Sequence, residues 1–127
     1  MPRVPVSWGE LIDKITILEI KEQRLSSSRA LANVGRELAS LNGALAELKP
    51  ESDIQALKQR LKAINERLWD VEDQIRAKEQ SKLFDSQFIA LARSVYFNND
   101  ERAQVKREIN EILKSGLMEE KQYTPYR

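Results

Sequence analysis

The feature that most constrains this chain is a run of apolar residues at alternating spacings of three and four. Leu31, Val34, Leu38, Leu41, Leu45 and Leu48 hold that spacing without a slip, and it resumes after Pro50 as Ile54, Leu57, Leu61, Ile64, Leu68, Val71 and Ile75. Such spacing lines up one apolar stripe on an α-helix, whereas a strand needs a period of two. Pro50 has no amide hydrogen to continue a helix, so it separates two of them. The second stretch reaches roughly 40 Å at 1.5 Å per residue. Two long amphipathic helices joined by a short turn predict an antiparallel hairpin with coiled-coil-like packing.

The rest of the chain also reads as helix. Ser7 and Glu10 have the spacing of a capping box and open a helix over residues 8–25. Ser26, Ser27 and Ser28 break it and offer a new N-cap, so the heptad helices span 29–49 and 53–80, the latter capped by Ser52 or Asp53. Asp85 caps a fourth helix over 85–97. Asn98, Asn99 and Asp100 compete for nearby backbone groups and predict an interruption before a fifth helix over 100–114. Ser115 and Gly116 close that helix, and residues 117–127 form an extended tail with two tyrosines, Tyr123 and Tyr126. The expectation is one all-α domain over 1–127, a long hairpin packed with shorter N- and C-terminal helices. Short helices cannot cover a seam of about 40 Å, which predicts a homodimer.

Composition closes several chemistries. The 127 residues fit one domain, and 41% hydrophobic with 32% charged residues suit a folded chain. With no Cys there is no thiolate nucleophile or sulfur-ligated metal, and with no His the commonest general base and metal ligand are missing. A net charge of +1 argues against a grip on nucleic acid. No run approaches 18 apolar residues, and Met1-Pro2-Arg3-Val4-Pro5 lacks the apolar core of a secretory signal, so the expected compartment is the cytoplasm.

Some polar residues break the pattern. Glu19 falls on the face defined by Leu11, Ile12, Ile15 and Leu18, while Ile17 and Ile20 lie on the other side, so the first helix is expected to touch protein on two sides. A carboxylate among aliphatics needs a partner. Arg102, which projects between Ile109 and Leu113, is the expected one. On the third helix Asn65, Trp69, Glu72, Arg76 and Glu79 form a stripe at the edge of the seam, with Glu72 and Arg76 in the favourable i, i+4 order. Trp69 is either core or a stacking platform. The Glu19-x-x-Glu22 spacing resembles that of all-α nucleoside triphosphate pyrophosphohydrolases, and Asp73 could complete a magnesium site with that pair.

Three segments resemble a small bacterial family of all-helical proteins known as a domain of unknown function. The first is Pro5-Val6-Ser7-Trp8-Gly9-Glu10-Leu11-Ile12-Asp13-Lys14, continued by Ile15-Thr16-Ile17-Leu18-Glu19-Ile20-Lys21. The second is Leu68-Trp69-Asp70-Val71-Glu72-Asp73-Gln74-Ile75-Arg76, and the third is Ala92-Arg93-Ser94-Val95-Tyr96 with Asn99-Asp100-Glu101-Arg102-Ala103 and Lys106-Arg107-Glu108-Ile109-Asn110. The resemblance spans nearly the whole chain. It implies a link to bacterial surface-polysaccharide pathways and brings no catalytic residues. Glu19, Trp69, Glu72, Arg76, Arg93, Asn99, Asp100 and Arg102 lie in or beside these segments and are the expected mixed-charge binding patch. The leading reading is a non-enzymatic interaction module, a dimeric scaffold or adaptor for a protein partner, with no cofactor. The alternative is a magnesium-dependent protein that binds or hydrolyses a nucleotide or nucleotide sugar, its metal held by Glu19, Glu22 and Asp73.

Overall fold

The structure, a computed structural model, describes residues 1–48, 52–114 and 123–126. It contains four helices, α1 (Trp8–Arg24), α2 (Ser28–Leu45), α3 (Ser52–Gln80) and α4 (Ser86–Ile112), and no strand among the described residues. The caps explain most of the boundaries. Ser7 Oγ accepts the Glu10 amide at 3.1 Å, Ser27 Oγ accepts the Ala30 amide at 3.3 Å, and Asp85 accepts the Phe88 amide at 2.9 Å. The heptad helices differ slightly from their expected bounds, since α2 ends at Leu45 and Ser52 is already inside α3. The expected closure of the last helix at Ser115 and Gly116 lies outside the described residues.

The two heptad helices do not close on each other, which corrects the predicted hairpin. The first helix lies between their seams. One core joins Leu11, Ile15 and Leu18 of α1 to Val34 and Leu38 of α2. A second joins Ile12 of α1 to Ile54, Leu57, Leu61 and Ile64 of α3 and to Val105 and Ile109 of α4. Among the described residues α2 packs on α1 alone, apart from Leu45 at its end, which also touches the second core. The physical reason is in α1, which carries apolar residues on more than one side and so can be buried twice. Ile12, Ile15 and Ile20 are almost wholly removed from water, and full burial of such a side chain is worth about 1.5–3 kcal/mol. The first helix does touch protein on two sides, but Ile12, expected on one face with Leu11, Ile15 and Leu18, marks the second side, and neither core contains Ile17 or Ile20. The antiparallel pair of the fold is α3 with α4.

The predicted fourth and fifth helices are one continuous helix, longer than α2. The polar run expected to break it finds partners while staying helical. Asn98 Nδ2 donates to the Ser94 carbonyl at 2.8 Å, its side-chain oxygen accepts Arg67 Nε at 3.1 Å, and Asp100 accepts the Tyr126 phenol. With no Pro or Gly in the run, the weak propensity of these residues, under about 0.7 kcal/mol each, is easily outweighed.

The turn from α3 to α4 is a Schellman motif. The Leu83 amide donates to the Lys78 carbonyl at 3.0 Å and the Lys82 amide to the Glu79 carbonyl at 3.1 Å. Lys82 sits at φ 54°, the left-handed region that glycine usually fills. Lys82→Gly is therefore expected to stabilise the protein by about 1 kcal/mol. The urea midpoint reports it, and a midpoint that falls would show that Lys82 contributes more through its side chain than its backbone loses. The turn is also clamped by Lys78 Nζ, 2.9 Å from Asp85. That bond, and then the Phe88 amide, hold the Asp85 carboxyl below the ordinary aspartate value of 3.8. The clamp is thus in force above that value and is lost as the pH falls through the lowered one.

Candidate functional site

The buried polar side chains gather into a network where α1, α3 and α4 meet. Asp13, only 1% exposed, is its centre. Arg102 grips its carboxylate with two bonds, Nε to Oδ1 at 2.9 Å and Nη2 to Oδ2 at 2.5 Å, the forked geometry that guanidinium groups make with carboxylates. Asn65 Nδ2 donates to the same Oδ1 and to Thr16 Oγ1, each at 2.9 Å, and the Thr16 hydroxyl donates to the Asp13 carbonyl at 2.7 Å. Lys106 Nζ lies 4.0 Å from Asp13 and 2.7 Å from Glu10. One turn further along α4, Asn110 Oδ1 accepts the Gly9 amide at 2.7 Å.

Gly9 is required by how closely the two helices approach. A Cβ at this position would lie 2.6 Å from the Lys106 carbonyl oxygen and 2.9 Å from Asn110 Oδ1. Among the described residues no buried side-chain nitrogen or oxygen lacks a partner. A network satisfied in this way locks one arrangement of helices, because any slip of α1 against α4 strands a charge.

The expected pairing of Glu19 with Arg102 is corrected. Arg102 is taken by Asp13, and Glu19 instead faces Lys58 of α3 at 3.4 Å, with both side chains only partly covered. In the sequence Asp13 reads as an ordinary polar position beside Ile12, and nothing around it marks it as buried. The signal that points to it lies on α4, where Arg102, Lys106 and Asn110 recur every four residues alongside the buried Val105 and Ile109. Three polar groups spaced that way beside a buried stripe need an acidic or amide partner on a facing helix.

The remaining residues of the expected patch fall into separate groups of contacts. Trp69 meets α1, with the Arg24 guanidinium 5.8 Å from its ring centroid and Arg24 also paired to Asp70 at 2.6 Å. Glu72 and Arg76 form the expected i, i+4 pair at 2.7 Å, on an exposed face. Arg93 lies over Phe97 at 5.9 Å and donates to the Tyr96 hydroxyl at 3.3 Å. Asn99 and Asp100 border a cleft between α4 and the C-terminal segment. In that segment the Tyr126 ring packs 4.9 Å from Tyr96 and 5.2 Å from Phe97. Among the described residues no three acidic side chains are grouped so as to hold a metal ion, and Glu19, Glu22 and Asp73 do not form such a group. Nor is any helix there long and apolar enough to cross a membrane.

The fold and the network together define an all-helical protein whose buried charges weld three helices at one junction. The chain belongs to a family of unknown function, DUF6165, whose sequence profile matches residues 2–126. No curated protein and no solved structure matches it.

Proposed function

We propose that the protein is a non-enzymatic helical scaffold that works as a homodimer through the outer halves of α3 and α4. One observation carries this reading. From Glu66 to Gln104, a stretch that includes both outer helix halves and their turn, no residue is buried. This arm extends about 22 Å beyond Asn65 at the helical rise. Leu68, Val71, Ile75, Phe88, Leu91 and Val95 are half-buried within it. Ile89, Ala92 and Tyr96 then make a second stripe on α4 at spacings of three and four, and this one is exposed. Leu83 and Phe84 at the turn, with Ile89, are each more than half exposed.

A second copy of this chain is the occupant the areas favour. The accessible surface is 8956 Å², against about 6900 Å² for a compact monomer of this mass. The excess over the whole chain is about 2000 Å², and the arm's share of it need reach only the roughly 800 Å² that each partner gives to a standard interface. Two arms related by a two-fold axis would make a four-helix arrangement and cover both exposed stripes.

The test is the mass in solution. Light scattering at about 100 μM, where a standard-sized interface is populated, is expected to give twice the chain mass of 14.7 kDa. Phe84→Lys combined with Ile89→Lys is expected to give 14.7 kDa with unchanged helical content. A wild-type monomer at high micromolar concentration overturns the reading.

A further inference from the structure

The cleft between α4 and the C-terminal segment has a chemical character that the scaffold reading does not use. It measures about 820 Å³ and is bordered by Tyr96, Asn99 and Asp100 of α4 and by residues 123–126 of the tail. That volume lies within the range of small-molecule sites. Three of the bordering side chains are phenols, from Tyr96, Tyr123 and Tyr126, whose ring faces carry negative quadrupole charge.

Among the described residues that border this cleft, Asp100 is the one charged side chain. The Tyr126 phenol donates to one of its oxygens. A carboxylate has about four acceptor positions, so capacity for a further donor remains. Its neighbour Glu101 is already met by Arg67 at 3.1 Å. Elsewhere on α4 the Arg93 guanidinium lies over Phe97, a ring outside the cleft lining, and its Nε bonds the Tyr96 hydroxyl.

We propose that this cleft binds an organic monocation, a guanidinium or an alkylated ammonium, with the charge against Asp100 and the apolar flanks on Tyr96, Tyr123 and Tyr126. The other classes fit less well. An anion would meet a carboxylate and ring faces of the same sign. A neutral ligand would leave the carboxylate uncompensated. A bare divalent ion prefers several hard oxygen ligands to one carboxylate and three rings. Tyr96 belongs both to this cleft and to the end of the exposed stripe on α4, but the cleft itself lies between α4 and the tail of one chain, so binding to the Phe84→Lys, Ile89→Lys variant tests it apart from the dimer.

The experiment is ligand-observed NMR at fixed ionic strength with choline and N-acetylarginine amide, and with glucose and inorganic phosphate as controls. Ring contacts at an open site imply dissociation constants of the order of 1–10 mM for at least one of the cations. Ring-current shifts of the bound methyl or methylene protons are expected with them. Asp100→Asn is expected to weaken binding by about tenfold and Tyr123→Ala by several-fold. Both side chains are exposed, so the melting temperature of each variant stays near that of the wild type. The proposal falls if neither cation saturates by about 50 mM, well above that range. It also falls if glucose or phosphate binds as well as the cations, or if Asp100→Asn binds as the wild type does.

Discussion

Gly9→Ala is expected to cost about 3 kcal/mol and to lower the melting temperature by about 10 °C. The new methyl group would meet the Lys106 carbonyl oxygen at 2.6 Å. That oxygen belongs to the backbone of a buried helical turn and cannot rotate away. Relief comes only if the start of α1 withdraws from α4, which stretches the 2.7 Å bond from the Gly9 amide to Asn110. Overpacking and a weakened buried hydrogen bond each contribute about 1–3 kcal/mol. Gly35 provides the contrast. Nothing lies within 4 Å of a Cβ there, inside α2, so Gly35→Ala is expected to stabilise by about 1 kcal/mol through helix propensity alone. Thermal unfolding followed by circular dichroism measures both, and equal midpoints for the two variants would contradict the close approach of α1 to α4.

The second large effect is expected at Asp13. Asp13→Ala removes the carboxylate that Arg102 forks and that Asn65 donates to, and is expected to cost about 3–5 kcal/mol, the usual penalty for breaking a buried pair from one side. The double variant with Arg102→Ala should cost less than the two single changes added together, by about 1–3 kcal/mol, since each single change already removes the fork the two residues share. Denaturant unfolding of the four proteins in this cycle measures that coupling. Strict additivity would mean that the 2.9 and 2.5 Å bonds between these residues contribute nothing jointly. The exposed pair Lys14–Glu37, at 3.0 Å with both side chains about half exposed, sets the scale for comparison. Lys14→Ala is expected to change stability by less than about 1 kcal/mol, because water already solvates both charges.

Several elements of the fold are legible in the chain. Ser7, Ser27 and Asp85 are short polar side chains just before apolar-periodic stretches, and each accepts the amide three residues on. Such caps depend on neighbours within one turn, so local sequence contains all the information they need. The break expected at Asn98 is absent for the converse reason. The side chains that satisfy this run, Arg67 and Tyr126, lie 31 and 26 residues away from the groups they bond. Nothing within a window of one or two turns reports them.

The candidate sites divide along the same line. Glu72 with Arg76 is readable because an i, i+4 pair is made by one helix. The partner of Arg102 is not, because helical projection says which face a residue occupies and not which helix comes to cover it. Asp13, 89 residues away, reaches Arg102 only because α1 enters between the two heptad helices.

The amino-acid sequence by itself determined that this protein is all helix, where most of those helices begin, and which face of each is apolar. These follow from backbone geometry, capping and a period of 3.6, which act over a few residues. The tertiary structure alone decided which faces meet. Heptad seams of similar composition are nearly interchangeable as hydrophobic surfaces, and the hydrophobic effect has no direction. The choice of α1 as the central helix, and of α3 with α4 as the antiparallel pair, rests on interactions that do have direction. They are the fork of Arg102 on Asp13, the bonds from Asn65, and the missing side chain at Gly9 that lets α1 approach α4.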